Sequence, residues 1–186
     1  ARRRSCCRQP VEQRLAGDAT ALVVAAACGA VASVRALLAA GASVIARDGS
    51  GNAPLHAAAG FAFGSRDPAR VRMLLLDLLG AGATVDASNH AGLTPLHVAC
   101  GAAAAVPPDS VGVEAALDVL LSRSSAHAMA DRKGCLPLHY AAANGLAGSV
   151  RRLVARGADA GQRDHGGWSA LDYAARYGHG DLLSDL

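Results

Sequence analysis

Apolar residues recur along this chain with the spacing of one helix face. An i, i+3, i+4 pattern of apolar positions predicts an amphipathic helix. Four stretches show it: Val34, Leu37 and Leu38; Leu75, Leu78 and Leu79; Leu117, Leu120 and Leu121; Val150, Leu153 and Val154. Alanine-rich phrases that open on Leu22, Leu55, Leu96, Leu138 and Leu171 form a second set. The two sets predict helix pairs near 20–27 and 32–40, 54–60 and 70–80, 95–103 and 112–122, 137–144 and 148–156, and a helix from 170 onward.

Polar residues between the predicted pairs follow one turn pattern. An Asp or Asn precedes a glycine by three residues at Asp48, Asn89, Asp131 and Asp164. A short polar side chain caps a tight turn, and glycine accepts the positive φ that the turn needs. Thr20, Thr94 and Ser169 then stand where a helix N-cap is expected, and Pro54, Pro95 and Pro137 at the first helical position. The chain is therefore predicted to be a series of similar helix pairs separated by hairpin tips.

The alanine-rich phrases are also similar in their letters. Residues 53–59 read Ala-Pro-Leu-His-Ala-Ala-Ala, 94–100 read Thr-Pro-Leu-His-Val-Ala-Cys, and 136–142 read Leu-Pro-Leu-His-Tyr-Ala-Ala; the five leucines are spaced by 33, 41, 42 and 33 residues. This Thr-Pro-Leu-His-x-Ala repeat resembles the ankyrin-repeat family. The resemblance covers about residues 16–186. It implies an all-α repeat solenoid of helix-turn-helix units with β-hairpin fingers, with units near 16–47, 48–88, 89–130, 131–163 and a truncated 164–186.

The resemblance also sets the expected function. Ankyrin repeats recognise proteins through their fingers and inner helix faces, which implies a protein-interaction module or scaffold with a protein partner, no catalysis, no cofactor and no small-molecule substrate. Two alternatives stay open: a built-in structural subunit of a large assembly, and a non-catalytic arm of a larger enzyme or signalling protein. The sequence contains none of the metalloprotease, serine-hydrolase or phosphate-loop motifs.

The charge distribution limits the class of partner that we expect, and the cysteine content limits the cellular compartment. The net charge is +3, but residues 1–14 carry five arginines against one glutamate, so 15–186 sum to −1. A nearly neutral array argues against nucleic-acid binding, and the basic tail, 1–15, is expected to be disordered. The five cysteines show no disulfide framework, which favours a cytoplasmic location. An Arg-rich leader for an organelle is the alternative, and no membrane span is expected.

Two neighbouring units are longer than the others. The distance from the first-helix leucine to the second-helix stripe is 12 residues in the first and fourth units, but 20 and 21 in the second and third. The extra residues fall at 61–68 and 102–110 and are expected to form loops on one edge. Phe61 and Phe63, the only phenylalanines, lie in the first insertion. Either they pack into gaps or they form an exposed anchor for a partner; for the anchor, a double change to serine should weaken binding and spare stability.

The fingertips supply the other candidate partner-binding residues. These are Arg47, His90, Arg132, Lys133, Arg163, His165 and Trp168, the only tryptophan, all on or beside the predicted tips. The alternative to a binding role is that these residues are ordinary solvated side chains of the tips.

The repeated histidines are given a structural role instead. His56, His97 and His139 occupy the same position of successive units, and in ankyrin repeats that histidine bonds back to the capping turn. Packed units are separated by about 10 Å, whereas zinc ligands lie about 2 Å from the metal. No metal site is therefore expected.

Overall fold

The helices begin where the sequence supplies caps. The computed structural model describes residues 14–101, 111–123 and 126–184. Thr20 Oγ1 accepts a hydrogen bond from the Val23 N–H at 3.4 Å, and Ser169 Oγ accepts one from Asp172 at 3.3 Å. The helices are α1 (Ala21–Ala27), α2 (Val31–Ala39), α3 (Pro54–Gly64), α4 (Pro68–Gly80), α5 (Pro95–Ala99), α6 (Val111–Leu121), α7 (Pro137–Ala143), α8 (Ala147–Ala155) and α9 (Ala170–Arg176). Short 3-10 turns lie at Ala16–Asp18, Ala126–Ala128 and Gly180–Ser184.

These helices form two layers, as an all-α repeat solenoid requires. The first helices of successive units pack on each other, α1 on α3, α3 on α5 and α7 on α9, while α4 packs on α6 among the second helices. The predicted stripes form the core between them, and Leu55, Leu75, Leu96, Leu120 and Leu138 are almost completely buried. Each unit thus buries its apolar face only by stacking on its neighbours. The predicted all-α repeat solenoid is confirmed, and the helices lie near their predicted positions, except that α5 ends at Ala99 and not at 103.

The fingers are turns in this structure. Among the described residues there is one isolated β-bridge, between Arg14 and Thr20, and no strand. Each tip is closed by backbone hydrogen bonds such as Asp48 N–H to Asn52 O at 3.0 Å. Arg14 also donates to Arg47 O at 3.1 Å, so the chain contacts the first finger from Arg14 onward. Residues 1–13, most of the predicted tail, lie outside the described residues.

The first insertion lengthens both helices and leaves only 65–67 as a connection, so the prediction of a loop across 61–68 is wrong. In the first and fourth units the paired helices have seven and nine residues. In the second unit α3 has 11 and α4 has 13. Each helix is therefore four residues longer, which accounts for all eight extra residues.

The physical reason for this lengthening is visible at both helix ends. Ala62 and Phe63 are buried, so they extend the apolar face of α3 by another turn. Asp67 caps α4 by accepting the Arg70 N–H at 3.0 Å, and Pro68 takes the first helical position. The second insertion, 102–110, lies outside the described residues.

Among the described residues, no helix has the length and apolar character needed to cross a membrane.

Candidate functional site

The fingertips are built by one repeated arrangement of side-chain and backbone groups. One side-chain oxygen of each turn Asp or Asn accepts two backbone N–H groups, from the second and fourth residues after it. For Asp131 these bonds come from Lys133 at 2.8 Å and Cys135 at 2.9 Å. Asp48, Asn89 and Asp164 make the equivalent pair of bonds. The acidic side chains of the tips are therefore used to shape the turns.

Neighbouring fingers are joined to each other through the backbone. His90 donates its N–H to Ser50 O at 3.1 Å, Arg132 to Ala91 O at 3.1 Å, and His165 to Lys133 O at 2.9 Å. The His90 and His165 rings lie over the turn glycines Gly51 and Gly134, which have φ of 79° and 80°. A side chain at these glycines would collide with the next finger, so the tips form one continuous edge.

All seven predicted finger residues lie on this edge and are exposed. Two of them also brace the turns. The Arg47 guanidinium donates to Gly51 O and Ser88 O at 2.7 Å each, which ties the first finger to the second. Arg163 donates to Gly167 O at 2.5 Å and pairs with Asp172 at 3.3 Å. Arg132 and Lys133 extend from a tip whose own carboxylate is already satisfied.

A groove runs between the first fingers and the inner helices. It has a volume of about 620 Å³. We call it the finger groove: its apolar floor includes Ala57, Phe61 and Val98, and its polar rim includes Asp48, Asn52 and Asn89. Asn89 Nδ2 donates to Asn52 Oδ1 at 2.8 Å, and Asn52 Nδ2 donates to Asp48 Oδ2 at 3.1 Å. The rim is thus held in place by its own hydrogen bonds.

The two phenylalanines both line the finger groove but differ in burial. Phe63 is only 5% exposed and belongs to the core, so the packing alternative describes it and an exposed anchor does not. Phe61 is half-buried, with its ring over Gly29 and one face on the finger groove. Partner binding by Phe61 and by the finger residues stays a prediction.

The repeated histidines connect each unit to the next. His97 Nδ1 accepts the Thr94 N–H at 3.1 Å, and its Nε2 lies 3.1 Å from Cys135 O in the following unit. An Nδ1 acceptor and an Nε2 donor define the neutral Nε2–H tautomer. His56 and His139 repeat both contacts. The predicted bond to the capping turn is confirmed, and the bond to the next unit is additional.

Burial determines the protonation of two of these rings. It lowers the pKa of His56 and of His97, because desolvation disfavours the imidazolium. The unfolded chain therefore binds more protons than the folded chain below the ordinary histidine pKa of about 6.5. This contribution to stability is fully present above about pH 6.5 and decreases as the pH falls.

Replacing His97 with alanine should lower the free energy of unfolding by about 1–3 kcal/mol, because two buried backbone groups lose their partner. The loss of stability of the variant on acidification should also be smaller than that of the native chain. Thermal and urea unfolding between pH 5 and pH 8 measure both effects. His90→Ala, at an exposed fingertip, is the control and should change stability little. A His97 variant that melts like the native chain would contradict the structural role.

The structure contains a tyrosine network that the sequence pattern does not predict. Tyr140 donates its hydroxyl to Asp131 Oδ2 at 2.7 Å, and Tyr173 donates to Asp164 Oδ2 at 2.7 Å. The Cys135 thiol lies 3.5 Å from the same Asp164 oxygen. The available signal was a tyrosine two residues after Leu138 and Leu171, where the second and third units carry Ala57 and Val98. The last two fingers are thus anchored to their helices by hydroxyl groups.

The thiols of this region are not activated nucleophiles. Burial raises the pKa of Cys135 to about 11 and that of Cys100 to about 12, so both stay protonated at neutral pH. In the part of the chain that the structure describes, no group of three or more His, Cys, Asp or Glu side chains is arranged to hold a metal ion.

The repeat geometry agrees with comparison against known families. The sequence model of the family "Ankyrin repeat" matches residues 18–49, and that of "Ankyrin repeats (many copies)" matches residues 120–174. The two matches support an ankyrin-repeat protein. No curated protein matches the chain. Ankyrin repeats are generally non-catalytic modules that bind proteins.

Proposed function

We propose that this chain is a protein-interaction module that binds its partner along the finger edge and the adjoining finger groove. The observation that carries the proposal is the continuous edge of hydrogen-bonded tips. It presents seven exposed side chains, five of which have no bracing role in the turns described above. A surface that is ordered before binding loses little conformational entropy when a partner docks.

The finger groove supports the same proposal. Its half-buried Phe61 and its polar rim combine an apolar contact with groups that orient a partner. Recognition sites commonly join an apolar floor to a few fixed polar groups. The partner of this surface is a protein, and neither a cofactor nor a nucleic acid is part of the proposal.

A built-in subunit of a larger assembly is the second candidate function. The observation that favours it lies on the outer helices, where Met73 and Leu76 of α4 are 42% and 45% exposed. They stand three residues apart and therefore share one helix face. A permanent neighbour would cover such a face, whereas an adaptor would leave it in water.

A site-specific photo-crosslinker distinguishes the two candidates. We would place it at His90 on the fingers or at Leu76 on the outer face and illuminate the full chain in native extract. The module function predicts cross-links from position 90, with position 76 as the matched negative control. Cross-links from position 76 alone, together with a native size far above that of the chain, would instead establish the built-in subunit.

An intracellular, cytoplasmic location completes the proposal. Cys100 and Cys135 are buried free thiols at repeat positions, which suits a reducing compartment. The organellar alternative depends on residues 1–13, which lie outside the described residues. Fractionation of cells that express the full natural protein tests the location.

A further inference from the structure

The fingertips at Asp131 and Asp164 expose basic side chains, whereas their aspartate carboxylates accept hydrogen bonds within the turns. Asp131 is buried, with Oδ1 accepting two backbone N–H groups and Oδ2 accepting the Tyr140 hydroxyl. Asp164 is bonded in the same way by its own turn and by Tyr173. Beside them Arg132, Lys133 and His165 are exposed, and Arg163 is exposed but pairs with Asp172 at 3.3 Å. At the Asp131 tip the carboxylate is buried, so the charged side chains that project into solvent are Arg132 and Lys133.

Three arginines of the outer helices are instead paired with carboxylates of neighbouring helices. Arg35 pairs with Asp77 at 2.7 Å, Arg72 with Asp118 at 3.1 Å and Arg152 with Glu114 at 3.2 Å. Within residues 14–101, 111–123 and 126–184, neither Arg132 nor Lys133 forms such a pair. Their charges are available for an anion from outside the chain.

An aromatic surface adjoins the Asp164 tip. Tyr173 lies between Trp168 and Tyr177, with ring centroids separated by 6.2 Å and 6.4 Å, and the Arg176 guanidinium lies 5.0 Å from the Trp168 ring centroid. We call these four residues the aromatic patch. Trp168 is 38% exposed and Tyr177 is 57% exposed, although both are held by neighbouring groups. Exposed and ordered aromatic rings are typical anchors of protein interfaces.

We propose that the basic fingertips (Arg132, Lys133, Arg163 and His165) and the aromatic patch together dock an extended acidic peptide segment that carries an apolar side chain. The inference rests on the proposed protein-interaction function and specifies its partner. The acidic groups of the segment pair with Arg132 and Lys133, and its apolar side chain packs on Trp168 and Tyr177.

The charge distribution favours a peptide over a nucleic acid. The basic tips span two fingers, whereas residues 15–186 as a whole sum to −1. The Arg47 guanidinium of the first finger is already bonded to two carbonyl oxygens. A phosphate backbone would need a basic face that continues along the array.

Trp168 allows a direct test, because it is the only tryptophan of the chain and lies in the aromatic patch. The probe is a synthetic peptide of glutamate and aspartate residues with one central leucine, titrated while tryptophan emission is recorded. We expect a saturable change of emission that weakens as salt is added. Peptides with glutamine and asparagine replacing the acids, or with glycine replacing the leucine, should bind roughly tenfold more weakly.

Matched charge variants locate the binding. Arg132→Ala with Lys133→Ala should weaken the acidic peptide roughly tenfold. Arg66→Ala with Arg123→Ala is the control, because both arginines are exposed and lie outside the fingers. This double change also removes two positive charges. Equal losses in both double variants, or no loss in the first, would overturn the proposal.

Two further outcomes would also overturn it. One is equal binding of the acidic and the neutral peptide, and the other is tighter binding of a single-stranded oligonucleotide of equal charge. If position 90 still cross-links to a protein in native extract under either outcome, the interaction function stands and only the acidic partner is withdrawn.

Discussion

Replacing Phe63 with serine should lower the free energy of unfolding by about 3–5 kcal/mol, in the range of large core truncations. Phe63 is 5% exposed and lies on the extra turn of α3, within the continuous core. The change removes a large apolar side chain and leaves a buried hydroxyl in its place. If Phe63 lay in an exposed loop, the same change would leave the free energy of unfolding nearly unaltered.

The neighbouring phenylalanine provides the comparison for this experiment. Phe61 is half-buried whereas Phe63 is almost completely buried, so Phe61→Ser should cost clearly less stability than Phe63→Ser. Circular dichroism melting and urea unfolding of the two single variants measure the difference. Equal melting temperatures for Phe63→Ser and the native chain would show that the extra turn of α3 is not part of the core.

Replacing Gly112 with valine should destabilise the second and third units by about 3 kcal/mol, at the upper end of the usual cost of overpacking. Gly112 is a buried residue in α6 that faces the end of α3. A Cβ atom at this position would overlap the carbonyl oxygens of Ala62 and Ser65. Both obstacles are backbone, so the helices must separate to accommodate any side chain.

Alanine at position 112 provides a specific test, because the expected change in stability has the opposite sign to that of an ordinary helical glycine. Alanine normally stabilises a helix relative to glycine by about 0.8–1.0 kcal/mol. Gly112→Ala should nevertheless destabilise the chain. Gly80→Ala is the matched control, because Gly80 is an exposed residue of α4 with nothing within 4 Å of its Cβ position. If Gly112→Ala raised the melting temperature as Gly80→Ala does, the close contact of α3 and α6 would be absent in solution.

The parts of the fold that were predicted correctly depend on local rules. Pro95 and Thr94 define a helix start, and the stripe of Leu117, Leu120 and Leu121 defines a buried face without knowledge of any distant residue. The role of the histidine row was predicted for a related reason: the bond from Thr94 to His97 spans three residues.

The errors arose where a local rule was applied to the wrong element. Asp67 and Pro68 form the same cap-and-proline start as Thr94 and Pro95, whereas the rule that extra residues between paired helices form loops predicts a loop here. Phe61 and Phe63, read as loop residues, are instead on a lengthened α3. The tyrosine network was missed because Tyr173 reaches Asp164 across nine residues and Cys135 across 38.

The sequence by itself determined the repeat, the helix pairs and the turns, because caps, prolines, turn glycines and apolar stripes act over a few residues. Only the tertiary structure decided which side chains of the fingers are free. The Asp131 carboxylate and the Arg47 guanidinium are occupied, whereas Arg132 and Lys133 are exposed. The physical reason is that hydrogen bonds and ring contacts between successive units set these environments, and those contacts exist only after the units have stacked.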